Sequence, residues 1–390
     1  MKSLFSIMFF TISLSGFSQA IGSLNLNYLY NPQNEVDLQL KLVKEQNQIK
    51  VYYSFRVATV QFTPESCSIT WQRKESFNQR EGTSITPEEI QPAIIENGVK
   101  TGILSFPVPE KPWLLVAKVS NPIDEKSWVY FRTIEANYPV NTYLTWEGSI
   151  ITKPFVSATK EYIPHGSGSG KPLRVFFYKH TFNPASPPFV ESESTVDQFI
   201  FHDSTFTIEI ENKIKFPSPG LYLLQEDTTG VDGISFRSTP DAYPKYTRVD
   251  DLVNPLVYVC TEEEFAELKN ANGDKAKFDK VILSITRDKE RAKNFMRNYF
   301  RNIEYANRYF SSYKEGWKTD RGMIFLIYGT PDEVIKTAQN ETWNYKGFKQ
   351  SFTFVKTGSV YDPDYYVLVR EKRFSETWFS TIDLWRKSRF

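Results

Sequence analysis

Asp320, Asp332 and Glu341 lie within a short stretch of the C-terminal third, with Arg321 beside the first of them. Three carboxylates brought together could do acid–base work on a substrate or hold a divalent cation. A guanidinium could instead fork onto Asp332 or Glu341 once a strand and a turn bring them close. Nothing in the spacing demands a reactive cluster. The same residues suit a structural corner. Gly316 would end a helix where positive φ is wanted, and Trp317 would cover the junction of helix and strand. Thr319 and Asp320 would bond the turn backbone, and Gly322 would let the turn pass beneath Trp317. The structural reading is preferred, because a fold signature need not be functional.

Other candidate chemistry fails on spacing. His165-Gly-Ser-Gly-Ser-Gly-Lys171 has histidine where a phosphate loop needs its first glycine, and Pro172 where it needs Ser or Thr, so it reads as a flexible loop. Ser167 and Ser169 do not fit a nucleophile elbow. His165, His180 and His202 match no zinc or helical pair, and the C-terminal third contains no histidine to serve as a base there. Asn270–Asp274 resembles part of a calcium loop, but Leu268 stands at the first ligand position, so a turn is expected. No metal and no cofactor is implied.

The 390 residues carry 47 Lys plus Arg against 46 Asp plus Glu, a net charge of +1 that leaves no field for gathering nucleic acid. Two cysteines and three histidines argue against disulfide scaffolds and zinc fingers. Cys67 and Cys260, far apart in the chain, are expected as buried thiols. Aromatic residues make up 16% of the chain, which opens a glycan-binding alternative through Trp71, Trp113, Trp128 and Trp146, with burial in cores as its competitor.

The elements follow from hydropathy periods. Met1-Lys2, the apolar run Leu4–Leu14 and the small residues Ser18 and Ala20 read as a removable export signal over 1–20, with the mature chain beginning near Ile21. No later run is long enough to span a membrane. Residues 21–135 alternate with period two and are punctuated by turns, Asn97-Gly98 being the best hairpin signal, so a β-sandwich-like domain is expected. Residues 136–250 repeat that texture as a second one. At Thr261, followed by three glutamates, helices are expected to begin. Arg287–Phe310 has apolar residues every three or four positions on one face and basic residues on the other, a solvated face in which Glu304 pairs along the helix. Met323–Tyr328, almost wholly apolar, reads as a strand ended by Gly329-Thr-Pro-Asp332.

Gly316-Trp-Lys-Thr-Asp-Arg-Gly-Met-Ile-Phe-Leu-Ile-Tyr-Gly-Thr-Pro-Asp332 resembles the signature of the GWxTD domain family of exported bacterial proteins. Glu341-Thr-Trp-Asn-Tyr345 is similar to the family's Glu-x-Trp-x-Tyr, and Arg287-Asp288 with Tyr305-Ala-Asn-Arg308 match the preceding helical segment. The resemblance covers about Val257–Trp385. Its motif positions here are Gly316, Trp317, Thr319, Asp320, Arg321, Gly322, Gly329, Pro331, Asp332, Glu341, Trp343 and Tyr345; of these, Asp320, Arg321, Asp332 and Glu341 are the candidate binding residues and none is assigned a catalytic role. Ser284-Ile285 departs from an aromatic pair common in relatives. The resemblance implies a Bacteroidota-type source and the periplasm or outer membrane. The expected architecture is mainly β in the N-terminal part, as two β-sandwich-like domains, with a C-terminal α+β GWxTD domain over 251–390. The expected role is a non-catalytic interaction or assembly protein of the cell envelope with a protein partner. The alternatives are a glycan binder, or a hydrolase using the carboxylates near the motif.

Overall fold

The structure, a computed structural model, describes residues 18–85, 93–123, 125–191 and 200–390. All but the last three residues of the expected export signal lie outside the described residues. Where the sequence alternates, strands form. The first group comprises β1 (Val36–Glu45), β2 (Gln48–Val57), β3 (Ser68–Lys74), β4 (Thr83–Ser84), β5 (Ile94–Glu96), β6 (Val99–Pro107), β7 (Trp113–Ser120) and β8 (Ser127–Ile134). They pair as β1-β2-β6-β5 and β4-β3-β7-β8, all antiparallel. Alternate residues of β1 and β2 face inward, and Leu38, Val51, Phe55, Leu104, Leu115 and Trp128 share one core between the sheets. Asn97 and Gly98, at φ 51° and 72°, make the expected two-residue hairpin between β5 and β6.

The second group comprises β9 (Tyr143–Trp146), β10 (Ser149–Ile150), β11 (Phe155–Ser157), β12 (Glu161–His165), β13 (Leu173–Tyr178), β14 (Ser204–Ile208), β15 (Ile214–Lys215), β16 (Gly220–Gln225) and β17 (Ile234–Thr239). Its sheets run β10-β9-β12-β15 and β11-β17-β16-β13-β14, with β11 parallel to β17. Leu144, Tyr162, Val175, Phe216, Leu224 and Phe236 fill its core.

The rest is α+β. The helices are α1 (Val249–Val253), α2 (Glu262–Asn270), α3 (Lys275–Thr286), α4 (Lys289–Phe310), α5 (Asp320–Tyr328) and α6 (Ser375–Arg386). An antiparallel sheet runs β18 (Glu333–Lys336), β19 (Asn340–Tyr345), β20 (Gln350–Lys356), β21 (Tyr366–Leu368). Thr261 caps α2 in a full capping box with Glu264, but helical structure starts earlier than expected, at α1. Asn270 ends α2, residues 271–273 form the expected turn, and Asp274 caps α3.

One expectation is overturned. Met323–Tyr328 is the body of helix α5, not a strand. Thr319 caps its start, its Oγ1 accepting from Gly322 N–H at 3.0 Å, and Gly329 at φ 78° ends it. Met323 to Tyr328 are all buried, enclosed on every side. A short helix buried all round shows no amphipathic period, so its pattern coincides with that of a buried strand.

The C-terminal core also recruits chain from far away. Leu26 and Tyr30 lie in the same cluster as Phe310, Phe325 and Trp343. Leu26 N–H donates to Val334 O at 2.8 Å, and Asn25 Oδ1 accepts from Val334 N–H at 3.0 Å. Residues 25–30 therefore run as a strap along the outer edge of β18.

Candidate functional site

Helix α4 stops at Phe310, and the chain turns back through a 3-10 turn at Gly316–Lys318 into α5. Gly316 neither ends the helix nor takes positive φ, contrary to expectation. A Cβ there would stand 2.0 Å from Ala306 O, so what the position requires is close approach of the turn to α4. At Gly322 a Cβ would lie 1.8 Å from Gly316 O, so the first turn of α5 rests directly on the 3-10 turn.

Thr319 bonds within the corner, and its other residues tie it to distant parts of the chain. Trp317, 1% exposed, donates its backbone N–H to Asn307 Oδ1 and its indole N–H to Tyr246 OH at 3.0 Å. The carbonyl of Lys318 accepts from Ala185 N–H at 3.0 Å, and its ammonium lies 3.0 Å from Glu315. Glu315 in turn pairs with Arg237 of β17 at 3.1 Å, and Arg237 donates to Tyr313 O. Burial by itself pushes Glu315 up, but Arg237 and Lys318 outweigh it and hold the carboxyl at about 2.

Asp320 is buried. It accepts from Leu368 N–H at 2.8 Å and from Arg370 through a 2.6 Å and a 3.3 Å contact. Arg370 also donates to Ser186 O, so Asp320 sits under a second crossing segment, residues 182–190, which Glu371 N–H further ties at Pro188 O. Arg321 points the other way. Its Nη1 lies 3.3 Å from Glu341 Oε2 and 3.4 Å from Tyr30 OH, and its guanidinium packs 4.4 Å from the Tyr366 ring centre. Of the two carboxylates expected for Arg321, it meets Glu341 and not Asp332.

Glu341, 0% exposed, receives Lys336 at 3.1 Å, Arg321, and the Trp343 indole N–H at 2.7 Å. Burial raises its pKa, yet Lys336 and Arg321 outweigh that and hold it below the ordinary carboxylate range. Tyr30 OH accepts from Lys336 Nζ at 2.9 Å and completes this cluster. Asp332 is exposed and accepts from Lys346 N–H at 2.6 Å. Its carbonyl accepts from the side chains of Asn25 and Asn27. Pro331 lies in the turn leading to β18, Gly329 O accepts from Tyr345 OH, and Trp343 and Tyr345 are buried. Asp320, Asp332 and Glu341 each bond to separate partners: Arg370 and Leu368 N–H, Lys346 N–H, and Arg321, Lys336 and Trp343 respectively. Among the described residues no group of three His, Cys, Asp or Glu is placed to hold a metal ion.

Arg370, Arg237 and Tyr30 belong to this corner and come from elements outside the motif, so no spacing in the sequence points to them; Glu315 and Lys336 lie within or beside the motif, and only their buried ion pairs reveal their part. The other candidates resolve locally. Ser167 N–H, Ser167 Oγ and Ser169 Oγ are all taken by Glu226, a carboxylate of the protein seated where an anion would sit. His165 stacks on Tyr143 at 4.6 Å between Thr145 and Glu211. Cys67 is buried, Cys260 half-buried, and no disulfide joins them. Trp71, Trp113 and Trp128 are buried in the first sandwich; Trp146 is half-buried, with Lys160 Nζ 3.6 Å from its ring centre.

A family model for the GWxTD domain matches residues 220–387. No curated protein matches the sequence. Solved structures similar to parts of the chain include the IgNAR antibody domain C3, at 13% identity over 26% of this chain and 96% of that one, with a TM-score of 0.20. Another is a tandem of titin Ig domains, at 11% identity over 53% of this chain and 95% of that one, with a TM-score of 0.17.

Proposed function

The chain belongs to the GWxTD domain-containing family through residues 220–387, and from that premise we propose that it works by binding, as an exported, non-catalytic interaction or assembly protein of the bacterial cell envelope. The observation that supports this reading is the state of the motif acids. Asp320 is engaged by Arg370 and a backbone amide, Glu341 by Arg321, Lys336 and an indole, and Asp332 by a backbone amide. A general acid or nucleophile needs a lone pair or proton turned toward substrate. Those of Asp320 and Glu341 are turned toward the protein, Asp332 stands apart from them on the surface, and the corner instead holds β17, α4, α5, β19, β21 and two crossing segments in one arrangement. That arrangement ties the second β-sandwich unit to the helical unit through Arg237, a rigid framework that suits a partner protein.

The hydrolase alternative needs Asp320, Asp332 and Glu341 to converge, and their bonding partners keep them apart. The glycan alternative retains Trp146 of the four tryptophans considered. The test is recovery of the tagged protein from envelope extracts under gentle detergent. A protein partner at near-stoichiometric yield, lost when the folded surface is disrupted, is the expected result. Recovery of the chain alone, together with retention on an immobilised glycan that Trp146→Ala abolishes, would replace this reading with the glycan one.

A further inference from the structure

The stretch expected to be cut on export offers two small-x-small choices. Ser18 and Ala20 place the cut before Ile21; Gly16 and Ser18 place it before Gln19. Sequence alone does not separate them, and the folded environment of residues 19–23 bears on the choice.

Lys74, at the end of β3, is 0% exposed, and its ammonium is held by backbone carbonyls: Arg80 O at 2.7 Å, Gln19 O at 2.8 Å and Gln79 O at 3.3 Å. Burial lowers its pKa, as expected of an ammonium stripped of water. The next carbonyl, that of Ala20, accepts from Ser23 N–H at 3.1 Å and from Ser23 Oγ at 2.8 Å, starting the 3-10 turn Ile21–Ser23. Ile21 is 0% exposed and packs with Leu114, Val116 and Val129 between the first sandwich and the segment leading to the strap. Gly22 N–H then donates to Phe77 O.

Resting on the reading of residues 1–20 as an export signal, we infer that the signal is removed between Ser18 and Gln19, so that the processed chain begins at Gln19. Water adds across that peptide bond, leaving the carboxyl on Ser18 with the released signal and the new amine on Gln19. A cut after Ala20 would remove two carbonyls that together accept three hydrogen bonds, one of them from a wholly buried ammonium. It would also create an α-ammonium on a fully buried residue, next to the place where Lys74 is already held as a cation. Taking one of its acceptors from a buried charged donor, or burying a new charge, is unfavourable, even though Lys74 keeps Arg80 O and Gln79 O. Gln19 is exposed, so a terminal amine there stays in water.

The full chain, expressed with its own leader in a Gram-negative host and recovered from the periplasm, is read by intact mass and terminal peptide mapping. A first residue of Gln19 supports the inference, and a first residue of Ile21 overturns it. A chain still carrying Met1 overturns the export reading, and the inference with it, and so separates the two failures. Chains made to begin at Gln19 and at Ile21 by cleavage of a fusion are then unfolded in urea. The shorter chain is expected to lose about ten-fold or more in folding equilibrium constant, in keeping with loss of a hydrogen bond to a buried charge. The gap is expected to shrink in the Lys74→Met background. Equal midpoints for the two chains would overturn the physical basis of the inference.

Discussion

Single side chains at the corner carry charge in places where water does not reach, so their removal should be felt as stability. Glu341→Ala leaves Arg321 and Lys336 facing each other without their shared carboxylate and strips the Trp343 indole of its acceptor. A loss of about 3 kcal/mol in urea unfolding is expected, in the range for breaking a buried pair. Gly316→Ala should cost at least about 2 kcal/mol, because the methyl meets the Ala306 carbonyl, which belongs to helix backbone and cannot rotate away. The motif's letters were visible in the sequence, but the reason for this glycine was not. A left-handed turn and a close backbone approach both call for glycine, and only the placement of Ala306 distinguishes them.

At the scale of elements, α5 depends on its cap. Thr319→Ala removes the acceptor of Gly322 N–H and a donor to Gly316 O, and about 1 kcal/mol of stability should be lost in the same assay. The tie between β17 and the corner is electrostatic and therefore depends on pH. The pKa of Glu315 is depressed in the folded state to about 2, so its contribution is fully present above the ordinary glutamate range and is lost as pH falls toward 2. Asp362, in the loop between β20 and β21, has the opposite sign. Burial and the neighbouring Asp364 push it up to about 7, so its contribution is present at low pH and disappears as pH rises through 7. Unfolding midpoints followed across pH should lose the acid-side slope in Glu315→Gln and the slope below pH 7 in Asp362→Asn. Elements with one wet face, such as β1, β2 and α4, were read in their true period; α5 was not, because enclosure on all sides erases the difference between strand and helix patterns.

For the whole molecule, the C-terminal unit is closed by chain that precedes it by some 300 positions, as the 306-residue separation between Tyr30 and Lys336 shows. Tyr30→Ala in the full chain should cost about 3 to 5 kcal/mol, the range for emptying a large aromatic site in a core. A fragment spanning 249–390 lacks both the strap and Arg237, and is expected to give poorly dispersed amide spectra and a broad, non-cooperative melt. Sharp cooperative unfolding of that fragment would show that the strap is an ornament on an independent fold. The family model's reach back to residue 220 is consistent with the first expectation, since it takes in β16 and β17.

The residues alone determined the GWxTD motif, the β texture of the N-terminal part, the Asn97-Gly98 hairpin, the Thr261 cap and the amphipathic face of α4, because each is written in neighbours a few positions apart. Tertiary structure alone decided that α5 is a helix, that Arg321 takes Glu341 over Asp332, and that Tyr30, Arg237, Ser186 and Arg370 converge on one corner. Those outcomes depend on contacts between distant segments, where burial sets which charges must meet, and no local period or spacing carries that information.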